Sequence, residues 1–141
     1  MLTYDPRKIS VKVYENLKQV KQGTSTTEEH DKQKNQAIEL YTYIATWGLM
    51  RLAGEEPALS REIQKQRVVR CFFKTLGELA FSGQQSNPLV GEPKIDKLIS
   101  MTASEYLGLT GLALQVGREF CFWAEALYPK QNSTGTTQTT N

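Results

Sequence analysis

From Ile9 onward the apolar residues of this chain recur every three or four positions, the spacing that places side chains on one face of a helix. Ile9, Val13, Leu17 and Val20 form the first such face, and Asp5-Pro6 opens it as an N-cap acid followed by proline at the first helical position. Arg7, Tyr14, Lys18 and Lys21 fall on a neighbouring face, and "GTSTT", residues 23–27, makes a turn. Thr26 with Glu29 three residues on forms a capping box, which predicts a second helix from there to Ala53, closed by Gly54. Its second half is apolar over more than half the circumference. Ala37, Ile38, Tyr41, Ile44, Ala45, Gly48 and Leu52 share a face that Leu40 and Trp47 widen, as in a helix at the middle of a bundle.

A third helix is predicted to begin near Pro57 and to run through "RVVRCFFKTLGELAFSG", with Val68, Val69, Phe72, Leu76, Leu79 and Ala80 facing the core. Arg67, Arg70 and Lys74 stand opposite them, at i, i+3 and i+7. "SGQQSNPLVGEP", residues 82–93, reads as the one long loop, followed by a short helix over about 94–101. Thr102 and Glu105 make a second capping box. The last helix then runs to about Tyr128, burying Leu109, Leu112, Val116, Phe120, Trp123 and Leu127, and Pro129 stops it. Gly108, Gly111 and Gly117 within this helix each cost about 1 kcal/mol relative to alanine, which predicts close approach of another backbone, inside the bundle or from a partner. No period-two alternation and no internal repeat is present. The expected fold is all-α: a single helical bundle of about five helices over 1–129, and a polar tail over 130–141 with nothing to bury, expected to be disordered.

Charge sharpens this picture where composition does not. The 141 residues are 39% hydrophobic and 23% charged, ordinary for a soluble domain, and the net charge is only +2. Its distribution is uneven: residues 61–74 hold five Lys/Arg against one Asp/Glu, and residues 1–34 hold seven against five. A local excess of this kind is the footprint expected for an acidic partner. Cys71 and Cys121 both interrupt apolar runs and read as reduced core thiols, which implies a cytoplasmic setting. The N-terminus has no apolar segment of the secretory kind, and the uncharged run 107–117 is far too short to span a membrane.

The residues that hydrolytic and metal chemistry require are scarce. His30 is the only histidine, beside Glu29 and Asp31 at a helix start, and no Cys-x-x-Cys or His-x-x-x-His occurs, so neither a metal nor another cofactor is expected. One enzyme class survives, in which buried arginines hold a dianionic substrate. Arg51 and Arg118 are its candidates, and snorkelling from the bundle surface is the alternative for both. The positive signal is the basic faces with interleaved aromatics and amides, which suit a nucleic-acid strand tracked by its phosphates. The candidate contacts are Arg7, Lys8, Lys12, Tyr14, Lys18 and Lys21 on the first helix and Arg61, Arg67, Arg70 and Lys74 around the third. A solvated helix face accounts for the same stripe, and a partner helix for Tyr14. A protein–protein adaptor, using the glycines of the last helix with Trp47 and Trp123, is the competing function.

The order of these pieces carries a resemblance. With "DPRKISVKVYENLK" at its start, "KNQAIELYTYIATWGLMRLAG" and "RVVRCFFKTLGELAFSG" in its middle and "REFCFWAEALYPK" at its end, the chain resembles, over residues 1 to about 130, the small subunit of a type I-D CRISPR interference (Cascade) complex. That family's small subunit is similar to the C-terminal helical domain of the complex's large subunit and can arise from an internal start in the same gene. The resemblance implies a non-catalytic, cytoplasmic subunit that lines the belly of the assembly, packs on backbone and large subunits and on other copies of itself, and contacts guide RNA and target DNA without reading sequence. Such contacts would stabilise guide–target pairing and the R-loop. The family offers no invariant residue to carry over, so the ten candidate contacts rest on helical geometry alone.

Overall fold

A computed structural model describes residues 5–91 and 93–129 of the chain. Six helices follow one another: α1 (Pro6–Gln22), α2 (Thr27–Trp47), α3 (Leu49–Ala58), α4 (Ile63–Ala80), α5 (Pro93–Ser100) and α6 (Ala103–Leu127), and no strand occurs among the described residues. The helix starts with sequence signals form as expected. Asp5 accepts the backbone N–H of Arg7 ahead of Pro6, and both capping boxes, Thr26 with Glu29 and Thr102 with Glu105, are closed in both directions. The predicted tail, 130–141, lies outside the described residues.

The predicted second helix is two helices. Gly48, not Gly54, interrupts it, with φ 94° and ψ 160°, a combination that residues with a Cβ rarely adopt. Gly48 has no side chain with which to cap α3, and the missing acceptor comes from another helix: the backbone N–H of Met50 donates to Tyr106 Oη of α6 at 2.9 Å. Gly54 and Pro57 both lie inside α3, and α4 begins only at Ile63, six residues later than the proline suggested. Because the chain turns at Gly48, the end of α2 runs past the core. Ala45 and Trp47, expected to be buried, are exposed.

The core is shared by all six helices. Ile9, Val13 and Leu17 of α1, Ala37, Leu40 and Ile44 of α2, Val68, Val69, Phe72 and Leu76 of α4, and Leu109, Leu112, Val116 and Phe120 of α6 are buried as the periodicity predicts, joined by Leu49 and Leu52 of α3 and Leu98 of α5. The last helix packs against α1, α2 and α4. Of its three glycines only Gly117 marks a close approach, since a Cβ there would sit 3.2 Å from Tyr41 Cα, whereas Gly108 and Gly111 have nothing within 4 Å. Trp123 and Leu127, expected in the core, are partly buried against it.

Polar side chains close the bundle at one end. Tyr128, almost wholly buried, donates to Gln33 Oε1 at 2.6 Å, and Gln33 donates in turn to Gln64 at 2.8 Å and Thr24 at 3.0 Å. His30 Nε2 faces two carbonyl oxygens, Lys21 O at 3.2 Å and Thr24 O at 3.1 Å, so that nitrogen carries the proton and ties α2 to the preceding turn. No helix among the described residues is long and apolar enough to cross a membrane.

Candidate nucleic-acid interface

The stripe on α4 forms because its apolar residues commit one side of the helix to the core. Arg67, Arg70 and Lys74 are exposed on the other side, and they do not stand in open solvent. They form one wall of a groove of about 930 Å³, whose other walls are α1 through Asn16, Gln19 and Val20, and a set made of Leu89, Val90 and Gly91 with Lys94 and Ile95 of α5. Phe73, Leu89, Val90 and Ile95 give the groove an apolar lining.

One buried carboxylate organises this wall. Glu56 of α3, 5% exposed, accepts Arg70 Nε at 2.8 Å and Lys94 Nζ at 2.6 Å, so a single acid joins α3 to α4 and α5. Burial acts to raise its pKa, and the two charge-assisted hydrogen bonds more than offset this, holding it below its ordinary value. Lys94, itself 4% exposed, also donates to Gly91 O at 3.3 Å and lies over the ring of Phe73. At the other end of the wall Lys74 pairs with Glu78 at 3.3 Å and donates to Asn16 Oδ1, while the Asn16 amide donates to Thr75 and Glu78. Among the described residues Arg67 hydrogen-bonds the neutral Gln64, at 3.3 Å, and lies near enough to Glu29 to interact with its charge. The lining therefore carries, among the described residues, four cations, Arg67, Arg70, Lys74 and Lys94, against Glu56.

The groove's far wall is pinned to α4. Asn87 donates to the carbonyl of Lys74 at 2.9 Å and accepts the N–H of Leu89 at 3.0 Å, lying where a Cβ on residue 77 would be. Gly77 is the position at which the loop can touch the helix.

The ten predicted contacts are divided among separate surfaces. Arg7, Lys8 and Lys12 border a depression between α1 and the end of α4 that also holds Asp5, Glu15 and Glu78, so cations and carboxylates balance there. Arg7 is already bound by Asp5 at 2.8 Å. Tyr14, Lys18 and Lys21 lie on the opposite flank of α1, toward α6. The Tyr14 ring packs 5.0 Å from that of Trp123, Lys18 covers Tyr14, and Lys21 lies over Tyr128. Tyr14 is thus used within the bundle. Arg61 is exposed in the turn between α3 and α4, apart from the groove lining. The structure brings together Arg67, Arg70 and Lys74, and adds Lys94, Glu56 and Asn16.

Those additions had little local signal. Glu56 is one of two adjacent carboxylates, and only the path of α3 buries it rather than Glu55. The other arginine pair behaves as surface: Arg51 stacks on Trp47 at 4.6 Å, and Arg118 covers Tyr41 at 4.8 Å while donating to its hydroxyl at 2.9 Å. Both arginines are exposed, so no buried anion clamp forms from them. No protein-family model matches the chain, and no curated protein or solved structure matches it either.

Proposed function

We propose that this chain is a non-catalytic helical subunit that contacts nucleic-acid backbone through the α4 wall, in an RNA-guided interference assembly of the type I-D kind that its sequence resembles. The observation that carries the reading is the excess of cations along the groove, where Arg67 makes no salt bridge among the described residues and Glu29 acts on it only from outside the lining. Phosphate contacts of this sort are sequence-independent and salt-sensitive, as holding a strand requires. A single copy offers few contacts, so several copies in register would supply avidity.

Arg70 also braces Glu56, so its removal would mix binding with stability, and the informative change is Arg67→Gln with Lys74→Gln. This double variant gives up the exposed Lys74–Glu78 pair, should lose at most about 1 kcal/mol of stability, and should bind a labelled single strand more weakly. The slope of log K against log salt should shrink by about 1.4, the share of two single-strand phosphate contacts. An unchanged slope, measured by fluorescence anisotropy, would sink the assignment.

The adaptor reading keeps one specific support. Leu107 and Phe122, 68% and 59% exposed, lie with Gly111 along the outward side of α6. If that face docks a protein, Leu107→Glu with Phe122→Glu should release a co-purifying partner that nuclease treatment leaves in place.

A further inference from the structure

We propose that the groove between α1, α4 and α5 holds one unpaired nucleotide of a strand, its phosphate between Arg67 and Lys74 and its base on the apolar lining. This deepens the nucleic-acid reading and rests on it.

A backbone running over a flat basic face needs no cavity. Here the cations edge a groove of about 930 Å³, a size typical of sites that enclose a small molecule. A phosphate on the rim brings its attached nucleoside within reach of Val20, Leu89, Val90 and Ile95, which line the interior. Among the described residues the lining has one carboxylate, Glu56, already paired with Arg70 and Lys94, and Glu78 beside Lys74 is paired with that lysine, so neither repels an anion at full strength. Gln19 on the α1 wall is a neutral amide able to meet a base edge.

The groove is also built in advance. Asn87 fixes the loop on α4 over Gly77, and Lys94 fixes the start of α5 to Glu56 and to Gly91, so occupancy requires little ordering of this wall. A base in a duplex is stacked and paired and cannot enter, whereas an unpaired base can turn out of the strand. The two modes differ in a measurable way. Backbone contact alone favours the duplex, whose charge density is higher, and a groove for a base favours the single strand.

The test uses a strand carrying 2-aminopurine, single or annealed to its complement, with the wild-type chain and Val90→Trp, a substitution at a half-exposed position that fills the groove and leaves every cation in place. The expected results are single-strand binding about tenfold tighter than duplex, from one stacked base, and protection of 2-aminopurine from a soluble quencher. Val90→Trp should abolish both while retaining salt-dependent binding. Equal affinity for the two forms, or protection that survives Val90→Trp, would overturn the inference and leave the backbone reading standing. Failure of the wild-type chain to bind either form at low salt would overturn both. A free mononucleotide that binds as tightly as the strand would overturn the assignment to a strand.

Discussion

Glu56 holds two cations on one carboxylate away from water, a position that few acids occupy without a structural reason. Replacing it with glutamine leaves Lys94 charged, buried and unpaired, and should cost about 3 kcal/mol in urea denaturation. The pH dependence follows from its lowered pKa. The stabilisation is present above the unfolded carboxylate's value of 4.5 and is lost as pH falls through the lower folded value, so acid should destabilise the wild type more than Glu56→Gln. Cys71 behaves in the opposite sense. Burial pushes its thiol up to about 12, so native protein should yield its half-buried Cys121 to a thiol reagent and release Cys71 only on unfolding. Folding keeps the Cys71 thiol neutral, so its share of stability holds below pH 9.0 and declines above it. Interrupting an apolar run marked both cysteines as core thiols, which holds for Cys71 and not for the half-buried Cys121. Glu56 was not legible, because its partners lie 14 and 38 residues away.

Among the elements, the break between α2 and α3 shows how two glycines six residues apart differ. Gly48 has a backbone conformation hostile to a side chain, and Gly54 sits in α3 with open space around it. Gly48→Ala should therefore destabilise by about 1–3 kcal/mol, and Gly54→Ala should stabilise by about 0.5–1 kcal/mol, a difference in sign that chemical denaturation resolves. Helical periodicity runs through both positions, so the pattern could not tell them apart. What decides is nonlocal: Tyr106 reaches across from α6 to serve the N–H of Met50. Pro57 misleads for a related reason. It is the penultimate residue of α3, where its missing N–H costs one late hydrogen bond, and the chain then needs a turn before α4.

For the whole molecule, the all-α architecture and the caps at Asp5, Thr26 and Thr102 were legible because each depends on residues a few positions apart. The arrangement of cations was not, because helical spacing says which residues share a face and leaves open what that face meets. Rotation of α1 in the bundle sends Tyr14 to Trp123 and Asn16 to α4, which splits one predicted surface into several. The same dependence on assembly governs the polar end of the bundle. Tyr128→Phe leaves Gln33 Oε1 without its donor and should cost about 1–3 kcal/mol, read as a lower melting temperature with unchanged helix content. Finally, α6 is the wall that α1, α2 and α4 all share, and it leaves the ribosome after the other five described helices. Until α6 emerges, α1, α2 and α4 can close against one another, and the side of each that α6 covers stays open. A nascent chain halted before residue 103 would hold those sides open, a natural target for chaperones or proteases until α6 emerges.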